Sequence, residues 1–94
     1  MYIEMSTAIR KKLRDKHDVS EKEIRQCFLN RQKHFLEDER EEHKTVPPTQ
    51  WFISLTNKNR ELKILFVNEN GKINVKSAFE PNDRERRIYE CVAT

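Results

Sequence analysis

Along this chain the spacing of apolar and polar positions changes character near the middle. In the second half it has a period of two. Trp51, Ile53 and Leu55 alternate with Phe52, Ser54 and Thr56. Leu62, Ile64 and Phe66 alternate with Lys63, Leu65 and Val67, and Ile73, Val75, Ser77 and Phe79 with Asn74, Lys76 and Ala78. Successive side chains of a strand point to opposite faces, so the pattern predicts three half-buried strands. The middle run is apolar at both parities, which predicts cover over part of its second face. Asn70-Gly71 supplies two residues that tolerate positive φ, the strongest short hairpin signal. Asn57-Lys58-Asn59 is a weaker turn of the same kind.

The first half reads as helix. Residues Ser6 to Lys16 place Ile9 and Leu13 on one face at i, i+4, with Ser6 as cap. A second helix starts at Ser20, where Ser20-x-x-Glu23 has the form of a capping box and Ile24, Cys27 and Phe28 form the apolar stripe. The link Lys16-His17-Asp18-Val19 is short, so the two helices form a compact hairpin or corner. Phe35-Leu36 is a candidate short strand. Pro47-Pro48 cannot continue a helix and interrupts sheet pairing, so it divides the helical half from the strands. After Pro81, Asn82-x-x-Glu85 resembles another capping box. Ile88, Cys91 and Val92 are the expected apolar stripe of that last helix, with Asp83 and Arg87 as an i, i+4 ion pair and Arg86 one turn from Tyr89. The expected fold is α+β, one domain over residues 1–94: two N-terminal helices, a mainly antiparallel sheet of three to four strands, and a short C-terminal helix.

Composition narrows this picture. At 94 residues there is room for one modest core. Charged residues make up 37% against 35% apolar, a balance that invites disorder, but the strand pattern argues against it for most of the chain. A net charge of +3 is too weak to announce nucleic-acid binding by itself. The charge is nevertheless patterned: Arg10, Lys11, Lys12, Arg14 and Lys16 make one basic run, and Arg84, Arg86 and Arg87 another. Between them Glu37 to Glu42 is acidic except for Arg40. Each run reads either as a solvated face or as a surface for a polyanion or an acidic partner. Cys27 and Cys91 lack a Cys-x-x-Cys partner and are expected to be buried free thiols in a reducing cytoplasm. No apolar stretch is long enough to span a bilayer and no signal peptide is evident, so a cytoplasmic location is expected.

A single glycine excludes a glycine-rich phosphate loop, and there is no Gly-x-Ser-x-Gly. His17, His34 and His43 lack metal-ligand spacing. Glu41, Glu42 and His43 could coordinate a metal, but acidic clusters of this kind are ordinarily solvated surface. Metal-free acid–base chemistry is the enzyme class most easily accommodated. RNA cleavage by the 2′-hydroxyl is one such reaction. It needs a proton acceptor, a proton donor and cations for developing charge. His43, Glu41, Lys44, Lys76, Arg86, Arg87 and Tyr89 include all three. His17 also reads as a structural turn residue. Lys76 is either solvated or lines a site, and Trp51 and Phe52 read as core ahead of a base-stacking platform.

Three stretches carry a resemblance. Lys16-His17-Asp18-Val19-Ser20, followed by Phe28, resembles a helix-to-helix turn of the BrnT-type ribonuclease toxins, RelE-like members of type II toxin–antitoxin systems. Leu62 to Phe66, Gly71, Ile73, Val75 and Ser77-Ala78 resemble that family's central hairpin. Glu85, Arg86, Arg87, Tyr89 and Glu90 resemble its basic C-terminal helix. The likeness extends thinly from about Lys12 to Glu90 and departs in two places: Phe79 stands where the family has arginine, and Asp18 where it has glycine. The stretch from Arg40 to Phe52 instead resembles a small bacterial subgroup labelled ADP-ribosyl-dinitrogen-reductase hydrolases. The genuine hydrolases are large all-helical metal enzymes, and this chain is too short to be one.

The resemblance implies a metal-independent endoribonuclease, RNA as substrate and an antitoxin protein as partner, with no small-molecule cofactor and no membrane association. On that reading Arg86 and Arg87 bind phosphate, and Lys76 or Lys44 offsets transition-state charge. His43 or Glu41 accepts the proton, and Tyr89 positions substrate. Phe79 motivates the alternative, a non-catalytic binding module that holds RNA or a protein partner. The low net charge keeps a third class open, a structural or regulatory protein without a nucleic-acid ligand.

Overall fold

The structure, a computed structural model, describes residues 2–39 and 46–93. Among these the chain order is β1 (Tyr2–Glu4), α1 (Thr7–His17), α2 (Glu21–Asn30), β2 (Leu36–Glu37), β3 (Thr49–Leu55), β4 (Glu61–Glu69), β5 (Lys72–Phe79) and α3 (Asp83–Val92). The described strands form one sheet in the order β1-β5-β4-β3-β2. β1 runs parallel to β5, and the other pairs are antiparallel. The sheet therefore has one strand more than the sequence pattern suggests. β1 is three residues long, too short to display a period, and is placed by its pairing with β5 and by Ile3, which is buried.

The helix starts follow local chemistry. Ser6 Oγ accepts the Ile9 amide at 3.1 Å. In α2 the Glu23 amide donates to Ser20 Oγ and the Ser20 amide to Glu23 Oε1, both at 3.1 Å. In α3 the Glu85 amide donates to Asn82 Oδ1 at 2.8 Å, and the Asn82 amide to Glu85 Oε1 at 3.0 Å. α1 ends on Asp18 in the left-handed region (φ 52°), and the Val19 amide returns to the Leu13 carbonyl at 3.0 Å. A residue in this conformation is the common way to close a helix and is where glycine is favoured. The orphan carbonyls of His17 and Asp18 are taken by the Arg60 guanidinium at 2.8 and 2.6 Å. The same guanidinium donates to Glu23 and Glu80, each at 3.1 Å. Arg60 thus ties the helix turn, the start of α2, the β3–β4 turn and the end of β5 together.

The sheet is covered on both faces. Even-numbered positions of β3 and β4 face α2. Phe28 lies 4.7 Å from Phe52 and 5.3 Å from Phe66 between ring centroids, and Phe35 joins this aromatic cluster. Odd-numbered positions face α3, where Trp51 meets Tyr89 at 5.6 Å. Leu62 through Val67 are accordingly all buried, as the two-sided apolar run implies. In β5 the simple alternation breaks. Leu65 pairs with Ser77 and Phe66 with Val75, so Lys76 is an extra residue at a β-bulge. Beyond it Ala78, opposite Ile64, takes the place on the α2 side that strict alternation assigns to Ser77 and Phe79.

Candidate functional site

Charged and aromatic side chains meet between α3 and the sheet face beneath it, and α3 docks differently from the sequence expectation. Ile88, Cys91 and Val92 were the expected inward stripe. Instead Tyr89 is buried within the helix and Ala93 caps it from inside, while Ile88, Cys91 and Val92 are exposed. The cause lies in the sheet. Its odd face presents Trp51 but also buried Lys63 and half-buried Glu61, and a charge taken from water needs a counter-charge. Glu85 answers Lys63 with a 2.6 Å ion pair, and Arg86 answers Glu61. Residues 85, 89 and 93 fall at i, i+4, i+8, so meeting Lys63 and Trp51 together turns the mixed stripe inward. Lys63 Nζ also sits 4.5 Å from the Trp51 ring centroid, over its face. Asp83 pairs with Arg86 at 2.8 Å (i, i+3), not with Arg87 as expected.

The predicted site residues fall into three groups. His43, Glu41 and Lys44 lie outside the described residues. Tyr89 and Arg86 are committed to the fold. The Tyr89 hydroxyl donates to the His34 carbonyl at 3.1 Å, and burial raises its pKa, an effect the Arg31 charge only partly offsets. Arg86 is held by Glu61 and Asp83, and the hydrogen bond it donates to Glu61 leads the effects that raise its pKa. Arg87 and Lys76 are exposed, and neither has an ion pair among the described residues. Lys76 owes its position to the bulge, a device that re-aims side chains at sheet surfaces.

Hollows flank α3 on both sides. One, of about 760 Å³, lies between α3, the end of α2 and β3, with Arg31, Lys33, Glu61 and Tyr89 on its walls. The other, of about 710 Å³, lies between α3 and the β2 edge. Among the described residues no three of His, Cys, Asp or Glu stand together to hold a metal ion. No described helix is long and apolar enough to cross a membrane.

Sequence reading missed Lys63, Glu61 and Arg60 as organising charges. Lys63 had one available signal, a lysine inside the most apolar run of the chain, which has to find a carboxylate if it is buried. Neither a protein-family model nor a curated protein sequence matches this chain.

Proposed function

We propose that this domain is a toxin-like, metal-independent endoribonuclease of the BrnT type, held in check by a protein antitoxin. The observation that carries this reading is the order of elements. The helical hairpin, the antiparallel hairpin and the basic C-terminal helix follow one another as the resemblance implies, and the left-handed Asp18 stands where the family has glycine. Exposed Lys76 and Arg87 serve as phosphate contacts, joined by Lys44. In the reaction the 2′-hydroxyl oxygen attacks the adjacent phosphorus as its proton passes to His43 or Glu41. The bond to the 5′-oxygen breaks, and that oxygen takes a proton, leaving a cyclic phosphate and a free 5′-hydroxyl. Arg86 and Tyr89 contribute by fixing α3 on the sheet.

The test is incubation of the full chain with RNA in excess EDTA. Cleavage to cyclic-phosphate ends, abolished in His43→Gln or Glu41→Gln, is the expected result. Growth arrest on induced expression, relieved by Lys76→Ala/Arg87→Ala, is its cellular counterpart. Both substituted cations are exposed, so the double variant keeps its fold.

A second reading is a non-catalytic binding module of the same fold. Its supporting observation is that Arg86 and Tyr89 already have partners within the protein while Phe79 stands where the family has arginine. RNA retained without cleavage, with affinity falling steeply in salt, distinguishes it. No RNA affinity at low salt overturns the ribonuclease reading and leaves the binding module a protein partner alone.

A further inference from the structure

We propose that the hollow at the Leu55 end of β3 is a nucleotide-binding site, with Arg31 and Lys33 holding the phosphate and Asn30 and Asn57 reading the base. Neither Lys76 nor Arg87 lines it, so the inference does not require RNA cleavage. The hollow, of about 760 Å³, is bounded by the end of α2, the segment that follows it, the end of β3 and Tyr89 of α3. Asp38 and Thr49, which flank the undescribed residues 40–45, meet at the opposite end of β3, amide to carbonyl at 2.8 Å. From Thr49 to Leu55 the strand runs about 20 Å. A cavity of this size suits a small organic molecule, and inorganic phosphate fills only a fraction of it.

Arg31 identifies the anion. It follows directly on α2 as its C-terminal cap. Its guanidinium lies over Phe35, Cζ 4.0 Å from the ring centroid, and Nη1 donates to the Lys33 carbonyl at 2.6 Å. The group is thus positioned, yet it meets no carboxylate among the described residues. Arg60 and Arg86, by contrast, are positioned by carboxylates. A positioned guanidinium offers the rest of its fork for paired hydrogen bonds to a phosphate. Lys33 adds a second cation without an ion pair among the described residues. Glu61 is also on the wall, but Arg86 already holds it. The rest of the lining suits a base. Asn30 Nδ2 donates to the Leu55 carbonyl at 2.9 Å and to Asn57 Oδ1 at 3.0 Å. Both amides are thereby oriented, with Asn30 Oδ1 and Asn57 Nδ2 left as one acceptor and one donor among the described residues. That pair complements the mixed donor–acceptor edge of a nucleobase. Leu29 and Leu55, 78% and 44% exposed, supply apolar surface for its flat face.

The experiment is isothermal titration of the full chain with each ribonucleoside 5′-monophosphate, with the matching nucleoside and with inorganic phosphate. The expected result is that at least one nucleotide binds about tenfold or more tighter than its nucleoside or phosphate alone. Arg31→Lys keeps the charge but not the fork, and weakens that nucleotide about tenfold. Leu29→Ser removes part of the seat for the base and weakens it as well. Both positions are exposed, and an unchanged melting temperature verifies each variant's fold. Single-stranded RNA that displaces the nucleotide shows that the site takes a residue of a strand, and RNA that does not shows that it takes the free nucleotide; either result upholds the site. No nucleotide binding, binding unchanged in either variant, or phosphate binding as tight as the nucleotide would each overturn the proposal. Lys76→Ala/Arg87→Ala keeps nucleotide binding while losing cleavage, so failure of the ribonuclease reading is seen separately.

Discussion

Cys27 and Cys91 are both free thiols in very different surroundings. Burial pushes the Cys27 thiol up to about 12, with the nearby Glu23 charge adding to it. At neutral pH that thiol is protonated and shielded, so it does not react as a nucleophile. A thiol reagent such as Ellman's is therefore expected to label one cysteine in the native chain, Cys91, and a second only after unfolding. Cys91→Ser should abolish the native reaction. Glu23 is the residue-scale source of pH dependence. Burial alone raises its pKa, but the Ser20 amide and the Arg60 guanidinium outweigh that and hold the carboxyl below its ordinary value. A group depressed on folding stabilises the native state above its unfolded pKa, about 4.3 for glutamate, and loses that contribution as pH falls through the folded value. Urea unfolding below pH 5 should show a decline in stability that Glu23→Gln flattens, since glutamine keeps the cap but not the charge. The Ser20–Glu23 box was legible in the sequence because its partners are three residues apart. The Arg60 clamp was not, because its partners lie 20 to 43 residues away and only the fold brings them within reach.

Elements read well from sequence where one period sets them, and poorly where two surfaces negotiate. β3 and β4 pair in unbroken register, although at the end of β3 Leu55 is exposed while Ser54 and Thr56 are buried, and Asn70-Gly71 turns with φ of 52° and 82° at its two residues. In β5 the extra residue at Lys76 resets the phase, and no local residue type announces a bulge there. α3 is the clearer case. Its most apolar stripe pointed outward because a lysine and a glutamate on the sheet required partners, a tertiary demand that periodicity does not encode. The docking of α3 is therefore unusually polar, and its weak points can be measured. Lys63→Ala leaves Glu85, its side chain 20% exposed, without its partner on the sheet, and should cost about 2–3 kcal/mol in chemical denaturation, below a fully buried pair because Glu85 retains some solvent. Tyr89→Phe keeps the ring against Trp51 and gives up the hydroxyl's bond to His34, a loss of about 1 kcal/mol. In the hairpin, Gly71→Ala meets no atom within 4 Å of the added carbon. Its cost, again about 1 kcal/mol, is that of holding alanine at positive φ.

Across the whole molecule, charges divide into those that hold the fold and those that face solvent, a division the net charge of +3 conceals. Arg60, Lys63 and Arg86 are bound to carboxylates of other elements, while Lys76 and Arg87 are not paired among the described residues. The sequence displayed the basic C-terminal run but could not separate Arg86 from Arg87, because that separation is made by Glu61, 25 residues upstream. The distinction has a measurable consequence if RNA is the ligand. Each phosphate neutralised by a protein cation releases condensed counterions and adds about 0.7 to the slope of log affinity against log salt for a single strand. Removing Lys76 and Arg87 together should lower that slope by about 1.4 and weaken binding without regard to RNA sequence. Arg86→Ala removes a cation whose charge Glu61 and Asp83 already offset. It should leave the slope nearly unchanged while lowering the melting temperature, because α3 loses an anchor. Slopes from filter binding between 50 and 200 mM salt (roughly the range over which such contacts dominate) discriminate the two. A slope that falls for Arg86→Ala and not for the double variant would place the phosphate on the inner side of α3, against the division of charges drawn here.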